Sequence, residues 1–254
     1  MIIGKGIIKK VRVNSFEIVP FNDSHYGSEL CNEPLVKKTI SYIKCKPNCF
    51  TYLGGDLIEA AIYGTIGSVH QQRHQIDEQV HDIVKMLRPI RDKIIFGVCG
   101  NHEYRVEKST GLNIMKIICE QLDVPYMGWE SYFGIKVKHG TICKCYAHHG
   151  VGAGSTAGSK LNSLEKLHFR APLSNLIMCG HIHTPLNSEK EVRYLDQNGN
   201  VCSHIQHFVS TGSSHLSDGY AAMKALGPIR TSATKIKVKH ISNKDFVVEI
   251  EKIY

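Results

Sequence analysis

Five short apolar runs in this chain all break into the same kind of turn. FEIVPF (16–21) passes into Asn22-Asp23-Ser24-His25, FTYL (50–53) into Gly54-Gly55-Asp56, and IIFGV (94–98) into Cys99-Gly100-Asn101-His102-Glu103. ICKCYA (142–147) passes into His148-His149-Gly150, and NLIMC (175–179) into Gly180-His181-Ile182-His183. Runs of this length and bulk, bounded by glycine and polar residues, read as buried strands. A sixth, IQHFVS (205–210), has the same character. Between the runs Ile76, Val80, Ile83, Val84 and Leu87 recur at helical spacing, as do Leu112, Met115, Cys119 and Leu122, and Leu161, Leu164 and Leu167 mark another helix. Strands alternating with helices imply an α/β architecture, with helices covering the sheets. In open α/β sheets ligands bind beyond the carboxyl ends of the strands. One strand ending in a polar turn is ordinary, but five that end in carboxylates, imidazoles and an amide point to a common site.

From about residue 190 the strand-like alternation strengthens, ending in FVVEIEKIY, and it is expected to complete the same sheets. The whole chain, 1–254, is therefore read as one domain, long enough to bury a sizeable core. Hydrophobic residues at 42% and charged residues at 21% are close to globular averages and exclude wholesale disorder. The start, MIIGKGIIKKVRV, is interrupted by Lys5, Lys9 and Lys10, and no apolar run approaches the length of a membrane span, so a soluble, unexported, cytoplasmic protein is expected. The nine cysteines contain no Cys-x-x-Cys pair, which argues against a disulfide framework or a zinc ribbon and fits a reducing compartment. Cys45 and Cys49 in CKPNC have the look of half a metal site without a second half.

The net charge of +8 permits a polyanionic partner without demanding one. Its lysines cluster in KGIIKKVR, KVKHGTICK and TKIKVKH, where they alternate with apolar residues as on the solvated face of a sheet. At the strand ends the donors are oxygen and nitrogen without thiolate, a set suited to Mn²⁺, Fe or Zn²⁺ and less well to Mg²⁺. Seven such side chains are too many for one tetrahedral ion. They suffice for two ions that share a bridging carboxylate, and ions about 3.5–4 Å apart suit phosphoryl displacement.

The blocks Asp23-x-His25, Gly55-Asp56, GNHE at 100–103, HHG at 148–150 and GHIH at 180–183 resemble, in this order, those of the calcineurin-like metallophosphoesterases. Each block is short; the specificity lies in all five, each behind an apolar run, over residues 16–183. GGDLIE, GNHEYR, HHGVGAGSTAGSKLNSLEKL and STGS are most similar to the compact phage-like and bacterial type, with the Mre11 and SbcD nucleases more distant. The resemblance implies a two-sheet β-sandwich flanked by helices and two divalent ions. It assigns Asp23, His25, Asp56 and His183 to one ion, and Asp56, Asn101, His181 and the histidine of the fourth block to the other. The looser spacing H-x-G favours His148 in that block, whereas the H-G spacing of the glycine-rich members favours His149, which is taken as the ligand.

A hydroxide held between two cations is a nucleophile at neutral pH, and the same cations neutralise charge on the phosphoryl oxygens. His102 is spared as a ligand in the family pattern and is expected to protonate or stabilise the leaving oxygen. Asp23 either helps to fix the His102 tautomer or only binds metal. Asn101, Arg105 and Lys160 are expected to contact substrate, Arg105 as readily having a surface role; Glu103 has a weaker claim, as a residue of an exposed turn. GVGAGSTAGSK (150–160) fails the P-loop template, but its glycines let backbone N–H groups approach a phosphate. His70, His74 and His81 read as the polar face of a helix near 70–88, and His139, His168, His204, His207, His215 and His240 as structural or surface residues.

GGDLIEAAIYG lacks the G-D-x-x-D-R-G extension of the protein serine/threonine phosphatases, and with it their phosphate-binding arginine. A chain that reaches only Tyr254 after His183 is not expected to include a full DNA-capping domain of the Mre11 kind. The expected activity is metal-dependent hydrolysis of phosphodiesters, with DNA or RNA as partner and Mn²⁺ as the preferred ion. A phosphomonoesterase acting on small molecules or phosphoproteins is the alternative, and a non-catalytic metal-binding interaction protein a more remote one.

Overall fold

The computed structural model describes residues 6–65, 69–152, 154–217, 227–242 and 245–254. The chain runs β1 (Ile7–Lys10), β2 (Ser15–Ile18), α1 (Glu33–Cys45), β3 (Cys49–Leu53), α2 (Ile76–Leu87), β4 (Ile94–Gly97), α3 (Asn101–Thr110) and α4 (Ile114–Leu122). It continues with β5 (Glu130–Lys136), β6 (Ile142–His148), α5 (Ala157–Glu165), β7 (Leu176–Cys179), β8 (Leu186–Leu195), β9 (Val201–Ser210), β10 (Ala233–Ser242) and β11 (Asp245–Ile253). Six strands form one sheet in the order β1-β5-β6-β7-β9-β8, and five form the other in the order β11-β10-β2-β3-β4. The fold is thus α/β, two mixed sheets flanked by helices, and the C-terminal strands divide between the two sheets as their alternation implies.

Parallel pairing holds β2, β3 and β4 in one sheet and β6, β7 and β9 in the other. A parallel pair needs a crossover, and α1, α2 and α5 supply three of them. Strands covered on both faces read as unbroken apolar runs, which is why CFTYL, IIFG and LIMC are buried at every position. Between the sheets, Tyr52 stacks on Phe96 and Phe96 meets Phe133 of the opposite sheet edge to face, 5.3 and 5.1 Å between centroids. The helices α1, α2 and α4 bury Ile43, Ile83, Leu87 and Ile118 against the outer face of the second sheet. On the outer face of the first sheet, α5 and the turn after it cover Tyr146, Ile177 and Phe208 with Leu164 and Leu167. Each such aliphatic side chain contributes about 1.5–3 kcal/mol on burial.

The elements depart from the sequence expectations at identifiable places. β2 stops at Ile18, and the chain continues beside β3 as far as Phe21 by one isolated bridge to Leu53, Pro20 having no N–H to pair on the other side. α2 begins at Ile76, so His70 and His74 precede it, and His74 lies stacked over the Tyr26 ring. Leu112 is exposed ahead of α4, whose cap is Asn113, accepting the Lys116 N–H. β9 extends back to Val201 and pairs with β8, which the apolar runs did not reveal. On β10, Ile236 and Val238 are buried while Lys235 and Lys237 reach Glu251 on β11, as a solvated sheet face requires. All nine cysteines are free, and Cys45 is exposed while Cys49 is buried in β3, so CKPNC makes no half-site. Among the described residues no helix is long and apolar enough to cross a membrane. Residue 153 of the glycine-rich run lies outside the described residues.

Candidate metal centre

The five turns are sewn together by their backbones. Asp23 and His25 donate their N–H groups to the carbonyls of Gly55 and Asp56 at 3.1 Å, Gly180 donates to His149 at 2.7 Å, and Ser214 donates to Asp23 at 3.1 Å. Within these turns Asp23, His25, Asp56, His181 and His183 adopt the left-handed region, with φ of 48°, 45°, 51°, 65° and 54°. Such a conformation costs a non-glycine residue about 1–3 kcal/mol and persists where the surroundings impose it, typically at functional sites. Glycine solves the closest approach: a Cβ on Gly55, whose φ is +85°, would stand 2.4 Å from Gly100 N, and one on Gly100 would stand 2.3 Å from Asp56 N. Gly100 therefore sits between the apolar strand and the polar turn because two backbones touch there.

Three overlapping groups of donors result, Asp23 with His25 and His183, His25 with Asp56 and His102, and Asp56 with His149 and His181, each within 4.8 Å. His25 Nε2 faces His183 Nε2 at 3.1 Å, and His183 Nε2 stands 3.3 Å from Asp23 Oδ1. His149 Nε2 is 3.3 Å from Asp56 Oδ2 and 3.0 Å from Asn101 Oδ1, which also lies 2.8 Å from His181 Nδ1. Two donors bonded at about 2.1 Å to one ion stand about 3–3.4 Å apart, so these spacings fit a shared cation. Asp56 belongs to two of the groups and lies between the other donors.

Charge is arranged to match. Asp23 and Asp56 are fully buried, which opposes their ionisation, but His183 beside Asp23 and His149 and His102 beside Asp56 outweigh this and hold both carboxyls below their usual range. His149 would be lowered by burial, yet Asp56 raises it to about 10. Burial lowers His25 and His181, keeping both as neutral imidazoles with a lone pair for a cation. His149 is buried, with its Nδ1 set by the Gly54 carbonyl at 2.8 Å. His148 instead accepts the Gly150 N–H at its Nδ1 and belongs to none of the donor groups.

His102 does not touch Asp23. Its Nδ1 lies 2.8 Å from the Glu59 carbonyl and its Nε2 3.9 Å from Asp56 Oδ2, so the Glu59 carbonyl, and not Asp23, fixes the ring. Asp23 is occupied elsewhere, accepting the His181 N–H at 3.0 and 3.1 Å. Glu59, missed in the sequence, also sets His25 through its carboxylate, 3.3 Å from Nδ1; its only signal was its place in GGDLIE. Arg105 packs against the Glu59 carbonyl, the Glu59 carboxylate at 3.4 Å and the His102 ring, and is thus engaged from within rather than presented to a substrate.

Glu103 is buried rather than exposed in a turn. Its carboxylate accepts the N–H groups of Leu57 (2.7 Å), Asp56 (2.9 Å) and Gly100 (3.2 Å). Burial and the Asp56 charge push its carboxyl up. His215, read as structural or surface, comes to the site, its ring centroid 4.8 Å from that of His25. Ser213 prepares that approach, its hydroxyl donating to the Asp23 carbonyl at 2.8 Å and accepting the His215 N–H at 2.9 Å. Lys160, on α5, donates to the Thr184 hydroxyl at 2.6 Å, next to His183.

Neither a family model nor a curated protein sequence matches the chain. Among solved structures, calcineurin-like phosphoesterase YfkN from Bacillus subtilis is similar at 13% identity, covering 94% of this chain and 90% of that one with a TM-score of 0.47. A conserved uncharacterized protein of Streptococcus pneumoniae, described as a predicted phosphoesterase, is similar at 14% identity over 94% and 90% of the two chains, TM-score 0.40. Vps29 of Chaetomium thermophilum is similar at 12% identity over 94% and 96%, TM-score 0.41.

Proposed function

We propose that the chain is a metal-dependent phosphoesterase of the calcineurin-like type that cleaves phosphodiesters, nucleic acid among them, in preference to phosphomonoesters. The observation that carries this reading is the convergence of Asp23, His25, Asp56, Asn101, His149, His181 and His183 at cation-sharing distances, five of them held in left-handed backbone. The donor set, nitrogen and oxygen without thiolate, supports two ions bridged by Asp56, with Mn²⁺ the most effective and Fe, Zn²⁺ or Mg²⁺ as substitutes. When bound, such ions supply Lewis acidity toward phosphoryl oxygens and lower the pKa of water.

The chain's own residues do the rest. Glu59 holds the His102 ring so that Nε2 faces the centre beside Asp56, placed to give a proton to the departing oxygen. Asn101 opens α3 at the exposed edge of the donor cluster, where its amide is placed to meet a phosphoryl group, and Lys160 adds positive charge beside His183. The net charge of +8 supports a polyanionic substrate. The nine free cysteines support a reducing, cytoplasmic setting.

The test is a substrate panel in Mn²⁺ spanning single- and double-stranded DNA, a cyclic nucleotide, an aryl diester and a mononucleotide. Diester cleavage should exceed monoester cleavage, and cleavage of oligonucleotides should fall between low and moderate salt while that of the aryl diester changes little, since a polyanion releases counterions on binding. Rapid turnover of a monoester with oligonucleotides left intact would replace this reading with that of a phosphatase. Metal binding without hydrolysis of any of these would leave the non-catalytic reading.

A further inference from the structure

Tyr104 and Trp129 form an aromatic pair that the fold does not bury. They are 39% and 47% exposed, and their rings meet edge to face, centroids 4.7 Å apart at 77°. Two routes lead from this pair to the metal centre. Tyr104 lies three residues beyond Asn101 on α3, so the two side chains are neighbours on one face of the helix. Trp129 arrives from the other side: the Gly128 carbonyl accepts the Cys99 N–H at 2.7 Å, and Glu130 pairs with His148, the neighbour of His149, in the β5–β6 register. The rings thus stand at the rim of the donor cluster, one helical turn from its amide.

An edge-to-face contact covers at most one face of one of the two rings, and both side chains retain more than a third of their exposure. Paired exposed aromatic rings beside a donor cluster offer apolar surface that a ligand at that cluster can cover. A flat aromatic group joined to the phosphoester is the occupant that such a face takes, and nucleobases stack on aromatic side chains whatever their sequence. The neighbouring Glu130 carboxylate does not repel a polyanion, because Arg170 Nε donates to it at 3.0 Å.

We propose that Tyr104 and Trp129 are a stacking platform for the nucleobase attached to the phosphoester cleaved at the metal centre. This rests on the phosphoesterase reading but is testable apart from it. Trp129 is the only tryptophan of the chain, so its fluorescence reports the platform directly. The protein is titrated with thymidine 5′-monophosphate and with deoxyribose 5-phosphate, which has no base, in Mg²⁺ because Mn²⁺ itself quenches. Thymidylate should quench saturably and bind roughly tenfold more tightly than the base-free compound, and Tyr104→Ala should remove most of that difference. With dinucleotide against base-free sugar diester, the kcat/KM preference for the base should fall roughly tenfold in Trp129→Ala, through KM, and return in Trp129→Phe. Equal affinity for the two compounds, or no saturable quenching by thymidylate, would overturn the proposal. Base-dependent quenching in a protein that hydrolyses no phosphoester would uphold the platform and sink the phosphoesterase reading.

Discussion

Asp56 is the residue on which the centre turns. One carboxylate oxygen faces His149, His102 and His25 at 3.3, 3.9 and 4.0 Å, while the other accepts the His102 N–H at 2.8 Å. Asp56→Ala removes the one carboxylate that belongs to two of the three donor groups, and is expected to lower bound metal sharply and reduce hydrolysis to background, read by elemental analysis beside an aryl-diester assay. His102→Ala should separate binding from turnover: metal is retained while kcat falls roughly 10²–10⁴-fold, the usual weight of a general acid, most severely for poor leaving groups. Loss of metal in His102→Ala would make that ring a ligand. For the paired histidines, His149→Ala should lose about half of the bound metal and His148→Ala none. The opposite stoichiometry would transfer the ligand role to His148.

At the scale of elements, α3 begins inside the site. Asn101 is its first residue and Gly100 its cap, so the helix both presents the amide and points its first N–H groups at the β3 turn, where His102 N meets Asp56 Oδ1. Glu103 is the clamp between the two elements, taking N–H groups from the β3 turn and from the cap of its own helix. Glu103→Ala leaves those buried donors without their acceptor at a cost of about 1–3 kcal/mol. A chain of this size should then lose roughly 2–12 °C in thermal midpoint and bind metal more weakly, since Asp56 is no longer held. Glu103→Gln, which retains a carbonyl acceptor, should fall between the two. Unchanged stability and metal content in Glu103→Ala would show that the clamp is not needed. α3 was not legible beforehand because NHEYRVEKST carries almost no apolar stripe; only Glu103 and Val106 are buried on it. α1, by contrast, does carry such a stripe in Leu35, Val36, Ile40 and Ile43, with Asn32 as its cap.

In the molecule as a whole, strand ends from two sheets converge: His149 on the six-stranded sheet reaches across to the Gly54 carbonyl after β3 on the other. Cations bound at such a seam are absent from the unfolded chain and so stabilise the folded one, by about 2.7 kcal/mol at a hundredfold excess over Kd. Saturating Mn²⁺ is therefore expected to raise the thermal midpoint by roughly 5–10 °C, and exhaustive chelation to reverse it. Asp56→Ala should show no such shift. A wild-type midpoint indifferent to both treatments would mean that the donors do not hold metal in solution.

What the sequence determined by itself is what depends on near neighbours: β3, β4, β6, β7 and β9, α2 and α4, the glycines that let chains approach, and the donors that stand at each strand end. Asp23, His25, Asp56, Asn101, His149, His181 and His183 were legible because each follows its strand by a few residues, and local spacing carries that information. Tertiary structure alone decided which of them face one another, and it drew in Glu59, Glu103, His215 and Trp129. These come from helix, loop and strand starts whose distance from the site along the chain bears no relation to their distance in space. It also decided which ring Glu59 orients, and that five of the non-glycine donors would adopt positive φ. No local propensity favours that backbone for aspartate and histidine over glycine; it accompanies hydrogen bonds between turns of neighbouring strands and, for His181, to Asp23 across the sheets, and those exist only once distant strands have paired and the sheets have met.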